Sequence, residues 1–195
     1  FDGGNTGEIN DVVTSSFYAS HIVTGAGFGG IMCTNNEAFA ESATIMRSWG
    51  RASSLRDESE EVDQRFNTKV DGIEYDAKFI FEMVGYNLEG SEIGAAFGLA
   101  QLEDLDNNLS IRQQNFDKQN NFFSQYEDYF ILPEQTKGSV TGWLAYPLII
   151  KESAPFSRKE FQIYLEKQNI QTRTVFTGNI TRQPGFKNQK MKVAN

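Results

Sequence analysis

The sequence predicts an α/β protein in which a β-α segment, residues 1–105, leads through a long helix into a smaller α+β segment, residues 106–195. Three observations carry that reading. Short β-rich runs flank a glycine turn near the start, well-capped helical stretches follow, and a second strand–helix–strand pattern opens after Pro133.

The elements follow in order. Residues 11–18, Asp-Val-Val-Thr-Ser-Ser-Phe-Tyr, predict a short buried strand, and Gly30-Ile-Met-Cys-Thr34 predicts a second one after the turn. Asn35 or Asn36 can cap a helix running to about Trp49, with Glu37 in its first turn and Gly50 placed as the stop. The acidic stretch 51–72 predicts a solvated loop. Ser91 opens a helix to about Leu105, whose small residues Gly94, Ala95 and Gly98 leave room for another backbone. From about Leu109 to Tyr129 a polar helix places Leu109, Phe116 and Phe123 on one stripe. Pro133 to Ser139 is a loop, and Trp143 to Ile150 is a strand. Ser157 and Glu160 form a capping box stapled by Phe156 and Phe161, opening a helix to about Gln168. Thr172 to Phe176 predicts a last strand. Phe1-Asp2-Gly3-Gly4 begins as if inside a loop, with no initiator Met, so the chain is expected to be a fragment lacking both ends.

Composition excludes several functions. A net charge of −8 speaks against nucleic-acid binding, which needs clustered Lys and Arg. No apolar run approaches the ~18–20 residues of a membrane span. One cysteine, Cys33, permits neither an internal disulfide nor a metal site of its own, so no metal is expected, and the composition suits a reducing cytoplasm.

Two features could carry chemistry. Gly25-Ala-Gly27-Phe-Gly-Gly30 matches the dinucleotide fingerprint G-x-G-x-x-G. That motif works by placing a pyrophosphate on a helix N-terminus, and here a strand-like run follows instead, so it predicts a tight backbone passage. His21 is the only histidine. A lone histidine is more often structural than catalytic. This one follows a strand, precedes the glycine turn, and has Thr14, Ser15, Ser16, Tyr18 and Ser20 close by in sequence. An imidazole there suits proton transfer near neutral pH.

Ordered blocks then give a resemblance. Thr14-Ser-Ser-Phe-Tyr-Ala-Ser-His21, with Gly30-Ile-Met-Cys-Thr-Asn-Asn36, resembles the coenzyme-lysine segment of the DegT/StrS-type sugar aminotransferases. Arg47-Ser-Trp-Gly-Arg51, Tyr75-Asp-Ala-Lys78, Val84-Gly-Tyr-Asn-Leu88 and Ala95-Ala-Phe-Gly-Leu-Ala-Gln-Leu102 are similar to its later blocks. Thr172-Arg173 and Gly178-Asn-Ile-Thr-Arg-Gln-Pro184 resemble its C-terminal domain. The resemblance implies a fold-type I large domain ending near residue 105, a small C-terminal domain after it, and pyridoxal 5'-phosphate or pyridoxamine 5'-phosphate as coenzyme.

Ordinary members carry Lys where His21 stands, and no Lys precedes Lys69 here. That exchange resembles the nucleotide-diphospho-4-keto-6-deoxyhexose 3-dehydratases of surface-polysaccharide (O-antigen-type) synthesis. Ala52 to Gln64 holds no cysteine, which resembles the cluster-free, colitose-pathway kind. The resemblance implies that His21 is the base that removes a proton from the coenzyme. It further implies that Ser16 and Asn87 hold phosphate, Asn87 across a homodimer interface, and that Tyr18 lines the pocket. Arg173 and Asn179 would meet the nucleotide sugar, glutamate would restore the coenzyme amine, and the acidic partner of the pyridine nitrogen would lie upstream of Phe1. Two other readings stay open: an aminotransferase of the same family, and a non-catalytic sugar-nucleotide-binding relative or inactive fragment.

Overall fold

The computed structural model describes residues 4–5, 7–55 and 62–192. The chain forms two units, Phe1–Ile111 with Lys137–Leu144, and Arg112–Thr136 with Ala145–Asn195.

In the first unit β1 (Val13–Ser16) pairs antiparallel with β2 (Gly30–Cys33), Ser16 opposite Gly30 and Val13 opposite Cys33. The expected buried strand over 11–18 is corrected here: it is four residues long and exposed throughout, and Ile31 opposite it is 50% exposed. A two-stranded ribbon buries little by itself. Between the strands the chain turns through left-handed geometry at Ala26, Gly27 and Gly29, and β2 follows with no helix at that point, as expected.

Asn36 caps α1 (Glu37–Arg47), its side chain accepting from the Phe39 N–H at 3.2 Å. The helix ends earlier than expected. Ser48 is its C-cap and Trp49 already has φ 60°, so the stop falls on Trp49 instead of Gly50. The Gly50 N–H returns to the Ile45 carbonyl at 2.9 Å, the long bond of a Schellman motif. The short bond of that motif is replaced. The Trp49 N–H donates to the Tyr86 carbonyl (2.8 Å), and the Tyr86 N–H donates to Met46 (2.7 Å). The chain at 86 is thereby inserted into the end of α1.

The acidic run Asp57 to Glu61 lies outside the described residues, but the rest of 51–72 is not the plain loop expected. It contains a 3₁₀ turn (Ala52–Leu55), α2 (Val62–Arg65) and β3 (Thr68–Val70), which pairs with β4 (Ile73–Tyr75). Asp71 and Gly72 both take positive φ between these strands, the backbone of a two-residue hairpin turn. Arg65 and Asp76 form a forked ion pair that holds the Asp76 carboxyl below its usual range.

Ser91 caps α3 (Glu92–Leu102), accepting from the Gly94 N–H at 3.3 Å. The helix stops three residues short of the expected Leu105, where α4 (Leu105–Phe123) begins and continues into a 3₁₀ turn at Ser124–Tyr126.

The second unit is built on aromatic rings. Phe116 and Phe130 are each 5% exposed. Phe116 meets Tyr146 at 5.6 Å between ring centroids, Phe123 meets Phe130 at 5.3 Å, and Phe130 meets Phe161 at 5.3 Å. The stripe through Phe116 and Phe123 therefore does face a core. β5 (Phe130–Ile131) pairs with β6 (Ile149–Ile150), so the strand expected over 143–150 shrinks to its last two residues. Trp143, at φ 20°, lies outside strand geometry. The capping box of α5 (Arg158–Lys167) forms as predicted, and the stapling rings of Phe156 and Phe161 stack 5.6 Å apart. Ser157→Ala should cost about 1 kcal/mol, read as a lowered urea midpoint at unchanged slope.

The strand expected over 172–176 is absent. The N–H and hydroxyl of Thr172 both donate to Glu166 Oε1, at 2.6 and 2.8 Å, so a side chain takes the donor that a neighbouring strand would use. Those bonds hold the Glu166 carboxyl below its ordinary value. Phe176 then turns left-handed at φ 44°.

Candidate active site

The loop from Phe17 to Gly25 carries His21. It is closed at its base by two bonds of Phe17: its carbonyl accepts from the Gly25 N–H and its N–H donates to Gly29, both at 2.9 Å. Inside the loop the His21 N–H donates to the Tyr18 carbonyl at 2.9 Å, making a turn, and the Tyr18 N–H donates to Ser16 Oγ at 3.3 Å. One local network thus ties Ser16, Tyr18 and His21. His21 sits in that turn, five residues past the end of β1, and its imidazole is exposed. Tyr18 is 58% exposed and bridges to Gly27.

Across the loop lies α3. Gly94, Gly98 and Gln101 recur at four- and three-residue steps and share one face. A Cβ at Gly94 would lie 2.9 Å from the Gly25 carbonyl oxygen, and one at Gly98 would lie 3.6 Å from that of Thr24. The small residues let a backbone approach, as the sequence predicts. Gln101 then bonds that backbone twice: Nε2 donates to the Thr24 carbonyl at 2.6 Å, and Oε1 accepts from the Thr24 N–H at 3.3 Å. Sequence reasoning assigned Gln101 no role. Its place on the glycine stripe was the available signal.

Asn87 belongs to a different cluster. It bridges to Ser48, and its neighbours Tyr86 and Leu88 donate to the Met46 and Arg47 carbonyls. Its carboxamide is exposed and bonds no described residue. Two glycines make this docking possible, since a Cβ on Gly85 would fall 2.2 Å from the Gly50 nitrogen. Beside it the Arg51 guanidinium covers the Trp49 ring at 4.7 Å and donates to Ser48 Oγ at 3.4 Å. Arg51 Nε is buried without a partner among the described residues.

Arg173 and Asn179 lie in the second unit. Arg173 has a 74% exposed side chain, donates to the Thr172 carbonyl at 2.7 Å and lies 3.9 Å from Glu166 Oε1. Asn179 caps the 3₁₀ turn Ile180–Arg182, accepting from the N–H and hydroxyl of Thr181. Among the described residues no group of three or more His, Cys, Asp or Glu could hold a metal ion, and no helix is long and apolar enough to cross a membrane.

A family model described as the DegT/DnrJ/EryC1/StrS aminotransferase family matches residues 1–195. The chain is 32% identical over 196 residues to the lipopolysaccharide biosynthesis protein RfbH of Salmonella typhimurium, covering 99% of this chain and 45% of that protein. It is 27% identical over 172 residues to the GDP-4-keto-6-deoxy-D-mannose 3-dehydratase of Escherichia coli O55:H7, covering 86% of this chain and 41% of that one. A solved E. coli GDP-4-keto-6-deoxy-D-mannose-3-dehydratase with bound hydrated PLP superimposes with a TM-score of 0.75 at 23% identity, over 92% of this chain and 44% of that one. The chain therefore has the fold of the corresponding stretch of that fold-type I protein, and spans less than half the length of the curated relatives it matches. With the whole of its length matched, the chain belongs to the DegT/DnrJ/EryC1/StrS aminotransferase family.

Proposed function

We propose that this chain is the His21-bearing part of a pyridoxal-phosphate-dependent dehydratase that removes the C3 hydroxyl of a nucleotide-diphospho-4-keto-6-deoxyhexose for polysaccharide synthesis. The observation that carries the reading is an exposed imidazole in a loop without any lysine, in a chain whose first lysine is Lys69. The side chains fit a phosphate-bearing coenzyme held without a covalent bond. Ser16 Oγ accepts one bond and keeps its proton to donate, Asn87 offers an unengaged carboxamide, and Arg51 Nε is an orphaned donor in the Asn87 cluster.

When bound, pyridoxamine phosphate supplies an amine for the sugar's C4 ketone and a sink for electrons. With the coenzyme bound, His21 would serve as the base that takes a proton from its aminomethyl carbon, and the same imidazole, once protonated, could give a proton to the departing C3 hydroxyl. Tyr18, exposed in the same loop, would line the place of the coenzyme. Arg173 keeps N–H donors beyond its bond to Thr172, and with Asn179 it contacts the nucleotide diphosphate. Residues 1–105 form the coenzyme domain and 106–195 a small α+β domain. Two copies would share each site, with Asn87 of one placed to hold the phosphate bound by the other, and glutamate would be the amino donor. The cytoplasm, where nucleotide sugars are made, is the place proposed for it.

The test is product mass. The intact protein, given coenzyme, glutamate and a nucleotide 4-keto-6-deoxyhexose, should release a sugar one oxygen lighter than the substrate. A product with its ketone replaced by an amine would overturn the dehydratase reading in favour of transamination. Absence of any coenzyme absorption would overturn both.

A further inference from the structure

We infer that Gln101 is a positioning residue for His21, holding the catalytic loop to α3 through the main chain of Thr24. The inference rests on the reading of His21 as the base.

The loop has one closure at Phe17 and Gly25, which anchors both ends to the β1–β2 hairpin side. Tyr18 is also tied, to Ser16 Oγ and by its bridge to Gly27, which leaves the stretch beyond His21 to be held. Gln101 supplies that hold, three residues from His21. Its carboxamide matches the Thr24 peptide donor for acceptor, at 2.6 and 3.3 Å, across 77 positions of sequence. The carboxamide is itself steadied, since Nε2 also lies 3.4 Å from the Phe97 carbonyl one helical turn back. The glycines decide whether the grip can be made at all. With Gly94 and Gly98 flooring the groove, the loop backbone comes close enough for a side chain of this length to reach both peptide groups. A general base must stay within hydrogen-bonding reach of the proton it takes. A misplacement of about 1 Å can cost on the order of 100-fold in rate. Ser16 is held by its strand pairing with Gly30 and Asn87 by its bridge to Ser48, so losing Gln101 should loosen the base without releasing the coenzyme.

Two variants of the intact protein test this. In Gln101→Leu, kcat for dehydration should fall about 10- to 100-fold, while KM for the nucleotide sugar and the coenzyme affinity stay within about twofold. Amide hydrogen exchange over residues 18–25 should quicken. Gln101→Glu keeps the shape and gives a signature that a merely structural role would not produce. Its carboxylate can accept from the Thr24 N–H but repels the Thr24 carbonyl, whereas the protonated acid donates to that carbonyl and rebuilds the pair. The ratio of variant to parent kcat should therefore rise as pH falls towards the carboxyl's titration range. Parental kcat and parental exchange in both variants would overturn the inference, as would loss of coenzyme in step with loss of rate. His21→Asn, assayed alongside, separates the two ideas. If it dehydrates normally, the reading of His21 as base fails and the positioning role with it. If it is inactive while the Gln101 variants match the parent, only the role of Gln101 fails.

Discussion

His21→Asn in the intact protein is expected to lower dehydration by about 10²–10⁴-fold, the usual contribution of a positioned general base, or roughly 3–5 kcal/mol at the transition state. Asn retains much of the side chain's size and polarity but cannot accept a proton in this range, so the loss would report proton transfer and not space-filling. His21→Lys makes the complementary test. It should lose dehydration to a similar extent while attaching the coenzyme covalently, because an amine can add to the coenzyme aldehyde where an imidazole cannot. Borohydride treatment followed by peptide mass would find the coenzyme on position 21 in the Lys variant alone. An Asn variant as active as the parent would remove the imidazole from the mechanism.

The second large effect is structural. Gly85→Ala places a methyl 2.2 Å from the Gly50 nitrogen, 2.5 Å from the Trp49 carbonyl carbon and 2.8 Å from the Gly50 Cα, all backbone atoms that cannot step aside singly. The insertion at the end of α1 would have to open, at a cost of about 3 kcal/mol or more. Gly72→Ala is the matched control. It too replaces a glycine, at φ 81°, but meets nothing within 4 Å, so only left-handed strain of roughly 1–2 kcal/mol applies. Thermal unfolding should show Gly85→Ala far below both parent and control, with weakened coenzyme binding if Asn87 moves with its neighbours. Equal melting of the two variants would show that the glycine contact is slack.

What was legible in the chain was what is decided locally. Asn36, Ser91 and Ser157 cap their helices as their side chains predict, because a cap needs only the next turn of its own helix. Strands are shorter than their composition suggests wherever a partner decides the outcome. Residues 143–148 have the right composition but no strand geometry, and Thr172 spends its N–H on Glu166. The Asp71-Gly72 pair carries the hairpin signal within a stretch whose acidity alone predicts a loop. The stop of α1 falls on Trp49 and not on the glycine after it because Tyr86, 37 residues beyond Trp49, supplies the bond that lets Trp49 turn. The loop around His21 was legible as a glycine-bounded passage. The residue that grips it was not, since Gln101 acquires meaning only once α3 is folded against Thr24.

The way that loop is held has a consequence for how its chemistry can change. Phe17, Tyr18, His21, Thr24 and Gly25 are all fastened through peptide groups, to one another, to Gly29, to Ser16 or to Gln101. None of these fastenings involves the imidazole. The backbone path is thus indifferent to which side chain stands at position 21, and another side chain can be placed there without redrawing the curve that presents it. The side chain at this point behaves as an interchangeable fitting on a fixed mount, so His21→Asn and His21→Lys should both leave the course of the loop unchanged.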